Sequence, residues 1–305
     1  DIVFHPVGVD PAVTIAGVRS SRIQANPDVR REVATGSLFA ATATLQNVSP
    51  VATVQIANLS QALSVLGVSG ACVEADGTHP GMYLYAQKQG CTGPEGGAVH
   101  RRYNVREGAF VPTQLAVDHR GDVLMTYELS ARYDGVNNPV TVVDDQTLPA
   151  SAGADARWTM DRMAVSVGGV LTEVEGKRNI TIDFGAEVTS EGADSNPFDS
   201  VQSLSEMLST VTVRGAELSW FEAVAPLLGA SRTGTDFLTM WFKNRDDAVT
   251  ATTHVALTVR GLVTPDTIFD GTPDSPAESS FQVALVNDGV NAPIVVQTGI
   301  AIPAP

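Results

Sequence analysis

The chain has 305 residues, of which 43% are hydrophobic and 17% are charged, and its formal net charge is −15. This length and composition predict about two globular domains and exclude an intrinsically disordered chain. The acidic balance repels phosphate groups, so sequence-specific nucleic-acid binding is not expected.

Strand-like segments dominate residues 1–152. They alternate apolar and polar residues, are rich in Val and Thr, and are separated by Gly, Pro and Asn, as antiparallel sheets require. The segments are AVTIAGV, FAATATL, VATVQIA, MYLYAQK, QLAVDH, VLMTYELSARY and PVTVV. One helix is predicted among them, because Leu59, Ala62, Leu63 and Leu66 have helical spacing and Gly67 follows as a terminator.

Residues 153–305 show the same mixture. Their strand-like segments are MAVSVGGVLTEV, NITIDFGAEV, STVTVRGA, HVALTVRGLV, FQVALV and PIVVQTG. A second helix is predicted from the apolar spacing of Leu218, Phe221, Val224 and Leu228, with Pro226 near its end. The fold class predicted from both parts is mainly β, with two tandem similar β-sandwich domains that each carry one α-helix packed on the sheet.

An internal repeat supports that prediction. The stretch YDGVNNPVTVVDDQTLP from Tyr133 agrees at seven of 17 positions with NDGVNAPIVVQTGIAIP from Asn287, at an offset of 154. A second echo, TVQIANLS from Thr53 and TVRGAELS from Thr212, has an offset of 159. Two copies of this length are too few and too long for a solenoid, so we predict a duplication with domains 1–152 and 153–305.

The repeated Asp-Gly pairs have a conformational explanation. Gly135 and Gly289 can adopt positive φ in a tight turn, and the proline four residues later begins the last strand. These residues therefore need no ligand.

The sequence holds no recognisable catalytic or metal-binding motif. The histidines His5, His79, His100, His119 and His254 lack metal-ligand spacing, and adjacent carboxylates such as Asp144 with Asp145 or Asp246 with Asp247 would point to opposite faces of a strand. Asp270, Asp274 and Glu278 match no calcium-loop pattern. We therefore expect no enzyme, no cofactor, no metal and no catalytic residue.

Several features remain open. Cys72 and Cys91 can form a disulfide or stay as two thiols, and the composition favours thiols. The aromatic pairs Trp220–Phe221 and Trp241–Phe242 each place one bulky side chain away from the domain's own core, where it can serve an interface, with core packing of both residues as the alternative. No membrane-spanning run and no export signal are expected. The RGD tripeptide at Arg120–Asp122 fits a turn better than an adhesion motif.

The order of these parts resembles the tail tube proteins of long-tailed bacteriophages. The resemblance lies in GSLFAATATLQNVSPVATVQIANLSQALSVLG, a long loop, and GAFVPTQLAVDHRGDVLMTYELSARYDGVNNPVTV, followed by a weaker second pass through STVTVRGAELSWF and SSFQVALVNDGVNAPIVV. In that family a β-sandwich flanked by a helix closes with its neighbours into rings, and the rings stack into a tube that conducts DNA. Members with two such units form rings of three chains.

The resemblance implies a structural virion protein, a major tail tube subunit that self-assembles as a homotrimer in pseudo-hexameric rings. Its implied partners are other copies of itself, the tail terminator, tape measure and distal tail proteins, and DNA that passes without specific binding during ejection; no membrane partner is implied. The implied location is the virion tail, assembled in the host cytoplasm. The alternatives are a distal-tail or baseplate hub ring, a capsid protein of two β domains, or an adhesive module. No clean counterpart of VPTQLAVDHRGD is visible in the second half, and both helices are expected outside their sandwiches with long hairpins lining the channel.

Overall fold

The structure is a computed structural model, and it describes residues 2–5, 13–33, 35–36, 38–70, 80–87, 100–150, 156–192, 196–216, 236–271 and 277–304. The second predicted helix, both cysteines, His79, Asp274, Trp220 and Phe221 lie outside these residues. We use "first half" for residues 1–152 and "second half" for residues 153–305.

Eleven strands are described in the first half. Their bounds are β1 Ile2–His5, β2 Val13–Ile15, β3 Val18–Gln24, β4 Pro27–Val33, β5 Ala40–Val48, β6 Val51–Ile56, β7 Gly81–Gln87, β8 His100–Val105, β9 Gly108–Asp118, β10 Leu124–Ala131 and β11 Val140–Gln146. All the segments predicted as strands in this half contain a strand. β1, β3, β4 and β8 were not predicted, because their polar and apolar residues do not alternate clearly.

Ten strands are described in the second half. Their bounds are β12 Trp158–Val167, β13 Val170–Glu173, β14 Lys177–Asp183, β15 Ala186–Gly192, β16 Asp199–Met207, β17 Thr210–Gly215, β18 Asp236–Asn244, β19 His254–Pro265, β20 Ser279–Leu285 and β21 Ile294–Ile300. β16 and β18 are additions to the predicted set. The chain is therefore mainly β, as predicted.

The strands form two larger sheets and two hairpins, and every pairing of named strands is antiparallel among the described residues. The small sheet has the order β11-β8-β7-β1-β2. The large sheet has the order β13-β12-β18-β19-β20-β17-β14-β9-β10-β6-β3, with β21 also paired to β19. β4 pairs with β5, and β15 with β16, in separate hairpins. The large sheet thus runs through both halves without interruption.

One helical segment is described, and it lies where the sequence predicts the first helix. It begins as α1, Leu59–Gln61, and continues as a π-helical turn, Ala62–Leu66, before Gly67 at φ 70°. Its apolar side chains are buried, and the Tyr127 hydroxyl donates to the carbonyl oxygens of Ala62 and Gly67. The segment therefore packs on the large sheet through the Tyr127 side chain of β10.

A continuous apolar core joins the layers. On β6 and β10 every second residue is buried, which is the alternation that a strand with one face on a core requires. Phe4 of the small sheet contacts Phe110 of the large sheet at 4.6 Å between ring centroids, and Phe110 stacks on Tyr127. Residues of the second half, including Phe184 and Phe281, belong to the same buried cluster.

Strands of the two halves recur at constant offsets in the numbering. The counterparts with identical lengths at an offset of 159 are β3 with β14, β4 with β15, β5 with β16, and β6 with β17. β11 and β21 are likewise equal in length, at an offset of 154. The two offsets are those of the sequence echoes.

Backbone conformations recur with the strands. Positive φ is found at matched positions, which are Gly17 with Gly176 and Asn26 with Gly185 at the 159 offset, and Gly135 with Gly289 and Asp145 with Gly299 at the 154 offset. The predicted positive φ of Gly135 and Gly289 is thus confirmed, with values of 89° and 76°. Positive φ is uncommon outside glycine, so a match at Asn26 and Asp145 indicates that the backbone path is repeated even where the residue differs.

Candidate assembly surface

The described residues hold no cluster of side chains that could bind a metal ion. No cluster of three or more His, Cys, Asp or Glu side chains is found within them. His100 and His254 occupy positions matched by the 154 offset, and both are buried next to strand partners. The His254 ring accepts from the backbone N–H of Asn244 at Nδ1 and donates from Nε2 to the Ala248 carbonyl oxygen, which is a structural role.

The candidate carboxylates are held by other groups. A carboxylate oxygen of Glu278 lies 2.7 Å from a guanidinium nitrogen of Arg178, and one of Asp270 lies 3.3 Å from a guanidinium nitrogen of Arg214. Asp144 accepts from Arg101, whose pKa is raised by that bond. Asp246 and Asp247 lie in a turn after β18 and not on a strand, so the expectation of opposite strand faces was wrong for this pair.

The other sequence features are turns and packing contacts. Arg120 has φ 62° in the turn after β9, and Asp122 pairs with Arg245 at 2.9 Å. In the aromatic pair on β18, Phe242 is buried in the core and Trp241 is half-buried on the opposite face, beneath the guanidinium of Arg162. This pair divides as predicted, and Trp241 contacts a side chain of its own half.

The two Asp-Gly turns have the same hydrogen bonds. Asp134 accepts from the backbone N–H groups of Asn137 and Val136, and Asp288 accepts from those of Asn291 and Val290. These bonds, led by the one from the asparagine N–H, lower the pKa of each aspartate to about 2. The turns are thus equivalent in chemistry as well as in sequence.

The largest contact between the halves is a strand joint. β9 of the first half pairs with β14 of the second half, from Gln114 facing Asp183 to Asp118 facing Asn179. Leu115 and Ile182 face each other within it, and both are fully buried. This joint makes one sheet of strands from two halves, and it removes two open edges.

A buried aspartate fixes a second contact between the halves. Asp199, at the start of β16, is 3% exposed. Its carboxylate accepts from the Asn47 amide at 2.9 Å and from the Ser49 hydroxyl at 2.7 Å, and its carbonyl accepts from the Tyr133 N–H. A buried carboxylate needs such donors, so this contact is specific.

The residues before Asp199 also contact the first half. The Phe198 ring stacks on Tyr133 with a centroid separation of 6.2 Å. The Val48 N–H donates to the carbonyl of Pro197 at 2.6 Å, and Val48 and Phe198 form a parallel bridge. Further along β16, the buried Gln202 side chain bonds to backbone groups of β9 and β10. We call the β9–β14 pairing and these contacts together the internal joint.

The counterparts of the internal joint are the edge of β3 and a segment that follows β19. β3, the counterpart of β14, pairs only with β6 among the described strands and ends the large sheet. On β9, Pro112 faces Tyr127, and on β19, Pro265 faces Phe281. Phe281 is the residue that matches Tyr127 at the 154 offset. Residues 267–270 therefore correspond to the joint part of β9, and backbone bonds between Asp270 and Glu278 hold them as a hairpin arm.

Large apolar side chains are exposed in the turn between β4 and β5, on the hairpin arm and directly after β16. Leu38 and Phe39, in the turn between β4 and β5, are 95% and 81% exposed. Ile268 and Phe269 on the hairpin arm are 52% and 69% exposed, and Leu208 is 69% exposed. Exposed apolar groups of this size on edge elements are typical of an interaction surface.

Inspection of the sequence missed the residues of the internal joint. A signal for them was present, because Phe39 and Phe198 are related by the same offset of 159 as the TVQIANLS echo. Extending that offset upstream would have aligned β3 with β14 and the two hairpins. VPTQLAVDHRGD has no clean counterpart in the sequence of the second half, as predicted: its structural match begins at Thr264, shares the proline at Pro265, and differs at the other positions.

No protein family model matches the chain, and a search of curated proteins finds no match. Within the described part of the chain, no helix has the length and apolar character that a membrane crossing requires.

Proposed function

We propose that this protein is a structural subunit of two tandem, similar β units, 1–152 and 153–305, that assembles into closed rings, and that the rings stack into a tube of the kind found in long-tailed bacteriophages. The observation that carries the proposal is the internal joint, a contact between unlike surfaces of two units whose strands match at constant offsets. Such a contact repeats from unit to unit.

The joint is heterologous, which sets what it can build. One unit contributes the β9 edge and the other contributes the β14 edge, so each additional unit leaves one edge of each kind open. A chain of heterologous contacts either closes into a ring or continues as a filament. Six units in a ring correspond to three chains, as in the double-unit members of the family that the sequence resembles.

Sheet edges give a second argument for assembly. An edge with unpaired N–H and C=O groups is a template for further pairing, and monomeric proteins cover it or break it with charges and prolines. The protein leaves open the β3 edge, at one end of its largest sheet, and the 267–270 arm, which follows the paired part of β19. Pairing them between copies satisfies both edges.

The charge distribution suits a channel for DNA. Residues 1–150 carry a formal charge of −4 and residues 151–305 carry −11. Acidic groups that line a channel repel the DNA backbone, so DNA passes without binding. Partners of the tube subunit are then other copies and the proteins at the tube ends.

Electron microscopy of the purified protein in negative stain tests the proposal, together with native mass spectrometry. We expect rings of three chains, or tubes made from them. Closed shells would favour a capsid protein, and rings that never stack would favour a distal-tail or hub component. Monomers at all concentrations up to the highest soluble one would refute assembly.

A further inference from the structure

The contact between neighbouring copies can be specified residue by residue, and this inference rests on the proposed function. In the internal joint, the second half brings β14 and the turn with Phe198 to the first half. Subtracting 159 from these positions gives β3 and Phe39. β3 ends the large sheet, and the Phe39 side chain is 81% exposed.

The surface that would contact β3 and Phe39 of another copy is located with the same offsets between the halves. Val48 and Tyr133, which contact the Phe198 segment, correspond to Met207 at the 159 offset and Asn287 at the 154 offset. Met207 and Asn287 both border one cavity of about 210 Å³. Leu285, Pro293 and Ile294 of the second half and Val68 of the first half add apolar surface to its lining. A cavity with an apolar lining therefore lies beside Met207 and Asn287, the positions that match the residues receiving the Phe198 segment.

We propose that a second copy of this chain occupies this surface. Its β3 pairs with the arm at residues 267–270, and its Leu38–Phe39 turn seats on the cavity bordered by Met207 and Asn287. The contact repeats the internal joint, with Phe39 in the position of Phe198.

The register follows from the internal joint. Asp183 faces Gln114 and Ile182 faces Leu115 there, so Gln24 faces Thr267 and Ile23 faces Ile268 between copies. Beyond Ile268 the arm has one residue more than the matching part of β9. Asp270 faces Glu278, whereas the spacing found in β9 would place residue 269 opposite Glu278. The transferred register is therefore specified at Thr267 and Ile268.

Charge and apolar character are complementary across the proposed contact. Residues 18–33 hold four arginines and two carboxylates, whereas the arm and the residue before it hold the two carboxylates Asp266 and Asp270, of which Asp270 pairs with Arg214. Ile23 is half-buried beside the β3 edge and Ile268 is 52% exposed, so pairing them buries apolar surface on both copies. Opposite charges favour this encounter over the pairing of two like ends.

Cysteine cross-linking between separately made variants tests the register. One preparation carries Gln24→Cys and the other Thr267→Cys, and mild oxidation of the mixture should give a covalent dimer on a non-reducing gel. Directly opposed residues on paired strands have β carbons about 5 Å apart, which a small backbone adjustment brings into disulfide range. The double variant Asp183→Cys with Gln114→Cys is the positive control and should close within one chain.

Two negative controls accompany this pair. Either variant alone, and the unaltered protein with Cys72 and Cys91, should give at most a background of dimer. A mixture of Ile23→Cys with Thr267→Cys should also fail, because neighbouring residues on a strand point to opposite faces. Equal cross-linking of the Ile23 and Gln24 variants would overturn the register.

A second variant independently tests the proposed contact between Phe39 and the cavity bordered by Met207 and Asn287. Phe39→Ser should lower the association constant between copies at least tenfold, measured by analytical ultracentrifugation, with the melting temperature of the dissociated chain unchanged. Val33→Ser, a change of another exposed apolar residue on the same hairpin, should have little effect. Equal association constants for Phe39→Ser and the unaltered protein would refute the proposed contact between Phe39 and this cavity.

The outcomes separate this inference from the proposed function. Rings or tubes without the Gln24–Thr267 cross-link would refute the inferred contact and leave the tube proposal standing. The cross-link in open filaments without rings would support the contact and refute the ring. Absence of both association and cross-linking would refute both.

Discussion

The two halves differ most clearly in one strand. In the first half, β8 pairs with β7 and β11 in the small sheet, and the separate β9 pairs with β10 in the large sheet. In the second half, the continuous β19 takes the place of both: it pairs with β18 and β21 near its start and with β20 near its end. The small sheet therefore stands apart in the first half, whereas its counterpart is joined to the large sheet in the second.

A single residue accounts for the difference. In the first half the Arg106 N–H donates to Pro139 and the Glu107 carbonyl accepts from Arg132. In the second half one residue, Arg260, makes both bonds, because its N–H donates to the proline before β21 and its carbonyl accepts from the residue after β20. An inserted residue at a sheet corner thus interrupts the strand and leaves the bonds on either side intact, as a bulge does.

The largest expected effect tests whether the sheet corner next to Glu107 in the first half is equivalent to the one next to Arg260 in the second half. A β carbon at Gly108 would collide with the carbonyl oxygen of Ser130, and one at Gly261 would collide with that of Ala284, the match of Ser130 at the 154 offset. We expect Gly108→Ala and Gly261→Ala each to destabilise the protein by about 3 kcal/mol, because backbone has to move. Urea denaturation measures this.

Gly192→Ala is the control for these variants. Its β carbon would meet no atom closer than 3.8 Å and its φ is not positive, so we expect a change within about 0.5 kcal/mol. A large loss at only one of Gly108 and Gly261 would break the correspondence between the corners.

A smaller effect is expected at the Asp-Gly turns. Gly135 and Gly289 have positive φ and open space around the β-carbon position, so only the backbone conformation is strained by a side chain. We expect Gly135→Val and Gly289→Val each to cost about 1 kcal/mol or slightly more. Thermal unfolding of the two variants should give similar shifts.

Asparagine at the same turn positions sharpens this test. Because Asn tolerates positive φ better than Val, Gly135→Asn and Gly289→Asn should recover most of the lost stability. Equal losses for Asn and Val would show that the side chains meet an obstacle and that φ is not the cause.

The smallest effect concerns pH. The pKa of both Asp134 and Asp288 lies near 2 in the folded protein, below the ordinary value for aspartate. The stabilisation from their ionised forms is therefore complete above about pH 4 and is lost as the pH falls toward 2. Because both carboxylates are accessible to solvent, we expect only a small drop in melting temperature from this source.

The double variant Asp134→Asn with Asp288→Asn isolates that contribution. Its side-chain carbonyls can still accept from the turn N–H groups, but they do not titrate in this range. The difference in melting temperature between the variant and the unaltered protein should shrink as the pH falls from 4 to 2. A difference that does not vary with pH would contradict the assignment.

The parts of the fold that depend on local pattern could be predicted from the sequence. β10 and β20 alternate, and Leu59 to Gly67 carries both helical spacing and a terminator, so these elements were recognisable. β3 and β4 are largely exposed, and their arginines and serines follow no alternation. Their strand conformation comes from pairing with β6 and β5, which single-segment patterns do not report.

The internal joint could not be predicted from local pattern either. Its contacts join residues far apart in the sequence, such as Asn47 with Asp199, and its buried carboxylate looks like any surface aspartate in the sequence. The constant offset between the two halves was the usable signal. It locates the counterparts of a contact, although the contact itself has to be seen first.

The internal joint also changes the concentration dependence of assembly. Because β9 and β14 belong to one polypeptide, the linking chain fixes their effective concentration, and dilution leaves their pairing intact. A ring of six units built from three chains needs only three bimolecular contacts. Dissociation at low protein concentration should therefore release whole chains, each with its two units still joined, and never single units.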